Sequence, residues 1–282
     1  MDFIKEILRG VLIGIANIIP GVSGGTMMVS MGIYDKIIGS VNRIFKEFVK
    51  SIKTLFPYAI GMGVGIVGLS FAIEFLFKRF PLPTAFLFIG LIFGGLPIIW
   101  KGLDKKKLNV GCVLLFLLFF ALVVGMQFLD SGADKVLKVE AGQLVVLFFV
   151  GVIASATMVI PGVSGSMILM SMGYYNSIIG EINAFFRALA AFDFDGLLHG
   201  VAILAPFGVG IVLGILAIAR LIEFLLNRYK NYTYSAILGL VTASPVAVLM
   251  GIGVGTITLV PLLLAVLTFA AGFAVAYFMG KM

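Results

Sequence analysis

A helix-breaking motif occurs twice inside apolar sequence. Residues 18–45 align with residues 159–186 at a fixed offset of 141, and 15 of the 28 aligned positions are identical. Proline lacks a backbone N–H and its ring disrupts a helix, while glycine adopts backbone conformations that other residues avoid. The sequence therefore predicts two interrupted hydrophobic helices related by an internal duplication. The helix-breaking residues of the two copies are Pro20, Gly21, Pro161 and Gly162.

The composition places both interruptions in a membrane. Hydrophobic residues make up 61% of the 282 residues and charged residues 12%, whereas about 25% of a soluble domain is charged. Five apolar runs fall in each half, and each is predicted to be helical because lipid-exposed backbone must satisfy its own hydrogen bonds. The expected fold class is an all-α polytopic membrane protein. The net charge of +7 indicates orientation and contact with anionic membrane lipids, and no nucleic acid is expected as a partner.

The duplication predicts one integral membrane domain made of two repeats. Repeat one covers 1–140, with tip one at 20–26, and repeat two covers 141–282, with tip two at 161–166. Each repeat crosses the membrane five times if every run spans, or three times if its first two runs form a re-entrant hairpin. Both numbers are odd, so the second repeat is inverted in either case.

We prefer the re-entrant topology, although the fully spanning one stays open. The run before Pro20 has about 17 residues, the lower limit for a span, and non-helical backbone at membrane depth needs protein or a water-filled cavity around it. Each repeat is then a re-entrant helix hairpin plus about three transmembrane helices. Under both topologies thirteen basic residues fall on one side and five on the other, which predicts that both termini are cytoplasmic.

The residues after each break predict an anion-binding helix start. A helix beginning there directs free N–H groups and the positive end of its dipole toward the break, and such starts bind phosphate without a metal or cofactor. The alternative is that proline and glycine merely allow broken helices to pack. Together with one intramembrane arginine, the candidate phosphate-binding residues are Ser23, Gly24, Gly25, Thr26, Ser164, Gly165, Ser166 and Arg220.

Ionisable and amide residues in the apolar runs form a second candidate set, because such groups are costly in a bilayer and default to functional roles. Glu74 and Glu223 occupy equivalent positions in the two repeats. They are candidates for coupling or gating, with a structural ion pair as an equal alternative. Arg220 precedes Glu223 by three residues, on one helical face, and is the candidate cation for an anionic headgroup. Asn17, before the first break, and Asp35, after it, complete the coupling or gating set.

The stretch IANIIPGVSGGTMMVSMGIYDKIIG, with its second PGVSG copy, resembles the bacterial polyprenyl-phosphate transporter family, and the resemblance extends over essentially the whole chain. It implies translocation of undecaprenyl phosphate, or a related polyprenyl phosphate, back to the cytoplasmic leaflet for cell-wall synthesis. It also implies a multi-pass protein of the cytoplasmic membrane of a bacterium or archaeon. Glu74 and Glu223 make protons the candidate coupling ion, with downhill movement as the alternative. The oligomeric state, with a homodimer among the options, stays open.

PGVSGGT and PGVSGSM are also similar to the PGxSRSxxT motif of the undecaprenyl pyrophosphatase family. In that family the motif arginine contacts phosphate and nearby glutamates support hydrolysis. Here Gly24 and Gly165 stand at the arginine position, and the stretch from Gly14 to Ile19 contains no glutamate. The resemblance therefore implies a lipid transporter and not an enzyme. A small-anion channel or carrier is the main alternative, and an integral-membrane lipid phosphatase is a weaker one.

Overall fold

The computed structural model describes residues 2–18, 23–129, 132–252 and 259–281. Within these ranges it describes no side chain for residues 2, 18, 67, 69–71, 74, 158 and 281. A five-residue π-helical segment, Val64–Gly68, and a 3₁₀ turn, Lys105–Lys107, accompany the α-helices. The α-helices are α1 (Asp2–Ile18), α2 (Gly24–Ser30), α3 (Tyr34–Asn42), α4 (Phe48–Gly63), α5 (Leu69–Arg79), α6 (Pro81–Gly102), α7 (Val110–Met126), α8 (Ala141–Val159), α9 (Gly165–Ser171), α10 (Tyr175–Ala191), α11 (Phe194–Arg228), α12 (Lys230–Gly251) and α13 (Leu259–Lys281).

The order of helices in the first half recurs in the second. A 17- or 19-residue helix, α1 or α8, precedes each break, and a seven-residue helix, α2 or α9, follows it at the offset of 141. The helices α6 and α12 both have 22 residues. Repeat one divides its long segment into α4, the π-helical segment and α5, where repeat two has the single 35-residue helix α11.

Four of the described helices are long and apolar enough to cross a membrane: α6, α11, α12 and α13. The apolar helices α7 and α8 are shorter candidates. The expectation of an all-α polytopic membrane protein is thereby confirmed.

The contacts of the chain divide it into two compact units. Unit 1 contains Met1–Phe128, Ile160–Val163 and Ala219–Met282, and unit 2 contains Leu129–Val159 and Ser164–Ile218. The boundary between the units differs from the boundary between the repeats, because the turn of tip two and the C-terminal segment Ala219–Met282 belong to unit 1.

Unit 1 is held by close helix pairs, in which α6 packs on α13, α7 on α12 and α1 on α4. Glycines lie where the backbones touch: a methyl group at Gly90 would overlap the carbonyl of Phe269, and one at Gly272 would overlap that of Leu87. Such packing suits a bilayer, where helices associate through van der Waals contact of small residues because lipid is as apolar as leucine.

Unit 2 has its own core. Part of the segment between α7 and α8, residues 132–140, which we call the strap, bonds to the turn after the short helix α9. The core is formed by Val150, Ala154, Leu169, Ile178 and Phe207. The segment between α7 and α8 bonds to the turn after α9 through two backbone hydrogen bonds, the N–H of residue 132 to the carbonyl of residue 170 (3.0 Å) and the N–H of residue 135 to the carbonyl of residue 173 (2.9 Å). These bonds fix where α9 ends and α10 begins.

Candidate functional site

Tip one begins α2 and is buried where the structure describes it. Ser23 has extended backbone angles (φ −116°, ψ 151°), and its hydroxyl accepts the backbone N–H of Thr26 at 3.2 Å, as an N-cap does. Ser23 is 4% exposed and Thr26 is fully buried. The predicted helix start is therefore present. The predicted breakers Pro20 and Gly21 lie outside the described residues.

The backbone of Gly162, in the second break, bonds to both hydroxyls of tip one. Its N–H donates to Thr26 Oγ1 at 2.7 Å and to Ser23 Oγ at 3.1 Å, and the two hydroxyls share a hydrogen bond of 3.1 Å. Gly162 has φ +82°, and a Cβ there would lie 2.5 Å from the carbonyl oxygen of Leu240. Only glycine fits this turn without strain, so the glycine is what lets the second break bond to Ser23 and Thr26. We call these hydrogen bonds the tip contact; the neighbouring Pro161 is buried.

Asn17 completes the surroundings of tip one from the last turn of α1. Its Oδ1 accepts the backbone N–H of Gly24 at 3.1 Å. A Cβ at Gly24 would come within 2.9 Å of the Asn17 amide, so a larger residue there would displace it. Asn17, expected to couple or gate, thus caps the start of the next helix, while Gly24 and Gly25 are buried.

Tip two begins α9 differently. Ser164 has extended backbone angles (φ −90°, ψ 120°), but its side chain makes no capping hydrogen bond to the described start of that helix. Its hydroxyl bonds instead to the hydroxyl of Ser166 at 2.9 Å. Ser164, Gly165 and Ser166 are all partly exposed.

A polar cavity of about 320 Å³ lies among α3, the end of α11 and the start of α12. It collects two predicted coupling or gating residues, Asp35 and Glu223. The hydroxyl of Tyr234 lies 3.5 Å from Asp35 Oδ2. The residues lining the cavity are Asp35, Ile38, Gly39, Glu223, Leu226, Asn227, Lys230 and Tyr234.

Glu223 is held in place by an amide. Asn42 Nδ2 donates to Glu223 Oε2 at 2.5 Å and to the carbonyl of Ala219 at 2.9 Å, so it bonds to two successive turns of α11. Sequence reasoning missed Asn42, although it is one of the 15 identical positions of the duplication, matched by Asn183. It also missed Lys230 and Tyr234, which carry no motif signal.

Two further predicted residues are Arg220 and Glu74. Arg220 is exposed on α11 and is not among the residues that line the polar cavity, so its role in binding a headgroup stays a prediction. Glu74 belongs to α5, and its side chain lies outside the described part of the structure.

Comparison with known proteins places the chain in a family. Residues 13–257 match the model of the VCA0040-like family, described as undecaprenyl phosphate translocase-like. The chain is 29% identical to a polyprenyl-phosphate transporter of Staphylococcus aureus over 281 residues, which cover 98% of the chain and 95% of that protein. It is 31% identical to a polyprenyl-phosphate transporter of Vibrio cholerae over 255 residues, covering 85% of the chain and 75% of that protein. No solved structure matches. The resemblance read from the two PGVSG copies is confirmed, and the chain belongs to the VCA0040-like, undecaprenyl phosphate translocase-like family.

Proposed function

We propose that this protein is a transporter, and not an enzyme, that carries undecaprenyl phosphate or a related polyprenyl phosphate across the cytoplasmic membrane. The observation that supports this most is similarity over 98% of the chain to a protein named as a polyprenyl-phosphate transporter. The apolar helices of both repeats suit a substrate whose tail stays in the bilayer. The orientation with both termini in the cytoplasm follows from the distribution of basic residues.

Transport proceeds by alternating exposure of a central site between two inverted repeats, 1–140 and 141–282. The recurring helix order supports a duplicated architecture. The odd number of crossings inverts the second copy, and re-entrant hairpins bring the tips to membrane depth, as in other transporters with broken helices.

Tip one supplies the phosphate-binding groups in this proposal. The hydroxyls of Ser23 and Thr26 and the N–H of Gly162 already meet at one place in unit 1. All three groups are donors. A phosphate oxygen entering between the hydroxyls and Gly162 would receive hydrogen bonds from both sides. The sequence assigns the same role to Ser164, Gly165 and Ser166, with Arg220 as the cation.

The tip contact is the closed state of this site. Because Ser23 is 4% exposed and Thr26 is fully buried, a headgroup reaches their hydroxyls only when the segment Ile160–Val163 moves away. Opening therefore exchanges a protein–protein hydrogen bond for charge-assisted ones to phosphate, which are the stronger kind.

The test is a vesicle assay of headgroup accessibility in each leaflet, with purified protein and undecaprenyl phosphate. Thr26→Val keeps the side-chain shape and removes the hydroxyl. We expect a fall in transport of at least about tenfold, because a hydrogen bond to a charged group is worth about 1.5–3 kcal/mol. Thr54→Val is the matched control, since within the described residues that hydroxyl bonds back to the carbonyl of Lys50 on its own helix.

Three outcomes of the assay separate the candidate functions. Equal accessibility in protein-containing and empty vesicles would refute lipid transport. Flux of inorganic phosphate or chloride without lipid movement would favour the small-anion carrier. Transport at the wild-type rate by Thr26→Val would contradict phosphate binding at tip one and would favour the alternative that the tips only allow broken helices to pack.

A further inference from the structure

We propose that residues 43–56, which connect α3 to α4 and form the first turns of α4, are a binding surface for anionic phospholipids at one face of the membrane. We call these residues the surface segment. The occupant is the bulk phospholipid of that leaflet, held by its headgroup charge and its acyl chains. The proposal concerns the lipid around the protein, so it does not depend on which substrate the protein transports.

The surface segment presents a row of large apolar side chains that the rest of the described protein does not cover. Phe48, Ile52 and Phe56 are four residues apart on α4, so they lie on one helical face, and all three are exposed. Phe45, in the turn before α4, is 73% exposed. Such an apolar face on a basic helix typically lies at the boundary between lipid headgroups and acyl chains.

Basic side chains lie beside this row. Arg43, Lys46, Lys50 and Lys53 are all exposed, and the surface segment contains one acidic residue, Glu47. Glu47 pairs with Lys50 at 2.8 Å. Four basic residues against one acidic residue leave the surface segment with a net charge of +3. Clusters of this kind at a membrane surface attract anionic lipids.

Backbone hydrogen bonds hold the surface segment in helical turns. The N–H groups of Lys46 and Glu47 both donate to the carbonyl of Arg43, at 2.9 and 2.8 Å, and the N–H of Ser51 donates to the carbonyl of Glu47 at 2.8 Å. Ser51 and Tyr58 are buried on another side of α4. The apolar row and the basic residues are therefore presented together, away from the protein core.

The packing of α4 on α1 places the surface segment at one end of this helix pair. A methyl group at Gly10 would overlap the carbonyl of Tyr58, and one at Gly14 would overlap that of Met62, so the two helices run parallel. Because both rise equally per residue, the start of α1 faces the first turn of α4. This end is the one away from tip one, to which α1 leads. It lies at the membrane surface in both the re-entrant and the fully spanning topology.

The charge of the surface segment selects lipid over a second copy of the chain as the occupant. A two-fold interface uses the same patch on both copies, so it would bring the basic residues of both together, and like charges across an interface are unfavourable. The four basic residues are exposed along the surface segment, and none of them lines the polar cavity. This arrangement suits several phospholipid headgroups more than the single headgroup of a transported lipid.

The corresponding connection of repeat two lacks the positive charge. Between α10 and α11, Phe192 and Phe194 are each 79% exposed, so apolar side chains are presented there as well. The charged residues nearby are Arg187, Asp193 and Asp195. With two acidic residues against one basic residue, this connection should contact lipid without preferring anionic headgroups, and it provides an internal comparison.

Quenching of a tryptophan by phospholipids with brominated acyl chains measures lipid binding at one position of the full-length protein in vesicles. Trp100 is the single tryptophan of the chain, so Trp100→Phe with Phe48→Trp leaves one reporter, on the surface segment. We expect phosphatidylglycerol to be preferred over phosphatidylcholine at least about fivefold, since each basic residue near an anionic surface strengthens binding by about that factor. High salt should weaken the preference. Trp100→Phe with Phe194→Trp should show no preference.

Charge variants in the Phe48→Trp background separate charge from shape. Lys46→Gln, Lys50→Gln and Lys53→Gln together leave Arg43 and Glu47 as the charged residues of the surface segment, and these balance, so the preference should disappear. The matched triple variant with arginine at the same three positions keeps the charge and should keep the preference. Thermal unfolding verifies that each variant folds. A preference that persists in the glutamine variant, or an equal preference at positions 48 and 194, would overturn the proposal.

Competition in the same vesicles identifies the lipid. Unbrominated undecaprenyl phosphate should displace brominated phosphatidylglycerol from position 48 no better than unbrominated phosphatidylglycerol does at the same mole fraction. Stronger displacement would make the surface segment a substrate site. Absence of quenching by both brominated lipids would mean that a second copy of the chain covers it. Either outcome would overturn the proposal, and neither depends on whether the vesicles carry out transport.

Discussion

In tip one the hydroxyl of Ser23 accepts the N–H of Thr26 and caps α2, whereas in tip two the hydroxyl of Ser164 bonds to Ser166 and makes no capping hydrogen bond to α9. The two serines occupy the same position of the same five-residue motif. Ser23 is buried and Ser164 is partly exposed. One motif thus starts a helix in both repeats but uses its hydroxyl in two ways.

The two copies differ from the first residue after the motif. Tip one has Thr26 where tip two has Met167, and Gly25 where tip two has Ser166. The threonine adds a second acceptor beside Ser23, and the pair binds the N–H of Gly162. The serine at 166 offers Ser164 a local partner instead. The two copies have therefore diverged: tip one provides the two acceptor hydroxyls, and tip two provides the N–H donor of Gly162.

The largest effect is expected at Gly162, on which the tip contact depends. Gly162→Ala places a side chain in a left-handed backbone, at a cost of about 1–2 kcal/mol, and against the carbonyl of Leu240. The turn must shift, so the N–H leaves the two hydroxyls. We expect the free energy of unfolding to fall by at least about 2 kcal/mol and transport to fall by at least about tenfold, measured by thermal unfolding in detergent and by the vesicle assay.

Gly180→Ala is the matched control for that substitution. Gly180 lies inside α10, where an added Cβ meets no described atom within 4 Å. Alanine should leave stability unchanged or raise it by about 0.5–1 kcal/mol, because glycine is the poorer helix former. Equal effects of the two substitutions on stability and transport would show that the tip contact contributes no more than an ordinary helix position does.

A second pair of glycines compares the turns that follow the two short helices. Gly32 (φ +68°) and Gly173 (φ +74°) are equivalent, and both have left-handed backbones. A methyl group at Gly173 would overlap the carbonyl of Ala133, whereas one at Gly32 would meet only the side chain of Ile98, at 3.3 Å. Gly173→Ala should lower the free energy of unfolding by at least about 2 kcal/mol and Gly32→Ala by about 1–2 kcal/mol. Equal losses of unfolding free energy in the two variants would mean that the strap moves away from residue 173 and relieves the overlap with the carbonyl of Ala133.

The breaks, the helix starts and the membrane class follow from local sequence, because proline, glycine and apolar run length act within a few residues. The hydrogen-bond partners of the polar groups do not follow from local sequence. The N–H of Gly162 reaches Thr26 across 136 positions, and Asn42 reaches Glu223 across 181. Helical spacing places Arg220 and Glu223 on one face. In the structure Glu223 bonds to α3 and Arg220 is exposed, since a spacing rule does not tell which neighbour packs there.

A smaller effect separates the two capping serines. Ser23→Ala removes an N-cap, worth about 1 kcal/mol, and one of the two acceptors of Gly162. Ser164→Ala removes a bond between two partly exposed hydroxyls, so we expect a change within about 0.5 kcal/mol. Thermal unfolding of both variants measures the contrast. A larger loss of unfolding free energy for Ser164→Ala than for Ser23→Ala would mean that the hydroxyl of Ser164, and not that of Ser23, is the one that stabilises its helix start.

The smallest effect concerns the residues after each short helix, where the repeats differ in charge. Lys36 pairs with Glu6 of α1, while the equivalent Ser177 donates its hydroxyl to the carbonyl of Lys135. Because the side chain of Lys36 is half exposed, solvent screens the pair, and Lys36→Met should cost less than about 1 kcal/mol. A double-mutant cycle with Glu6→Gln measures the coupling, and Ser177→Ala is the comparison in repeat two. A coupling well above 1 kcal/mol would mean that this charge pair makes a substantial contribution to holding α1 against α3.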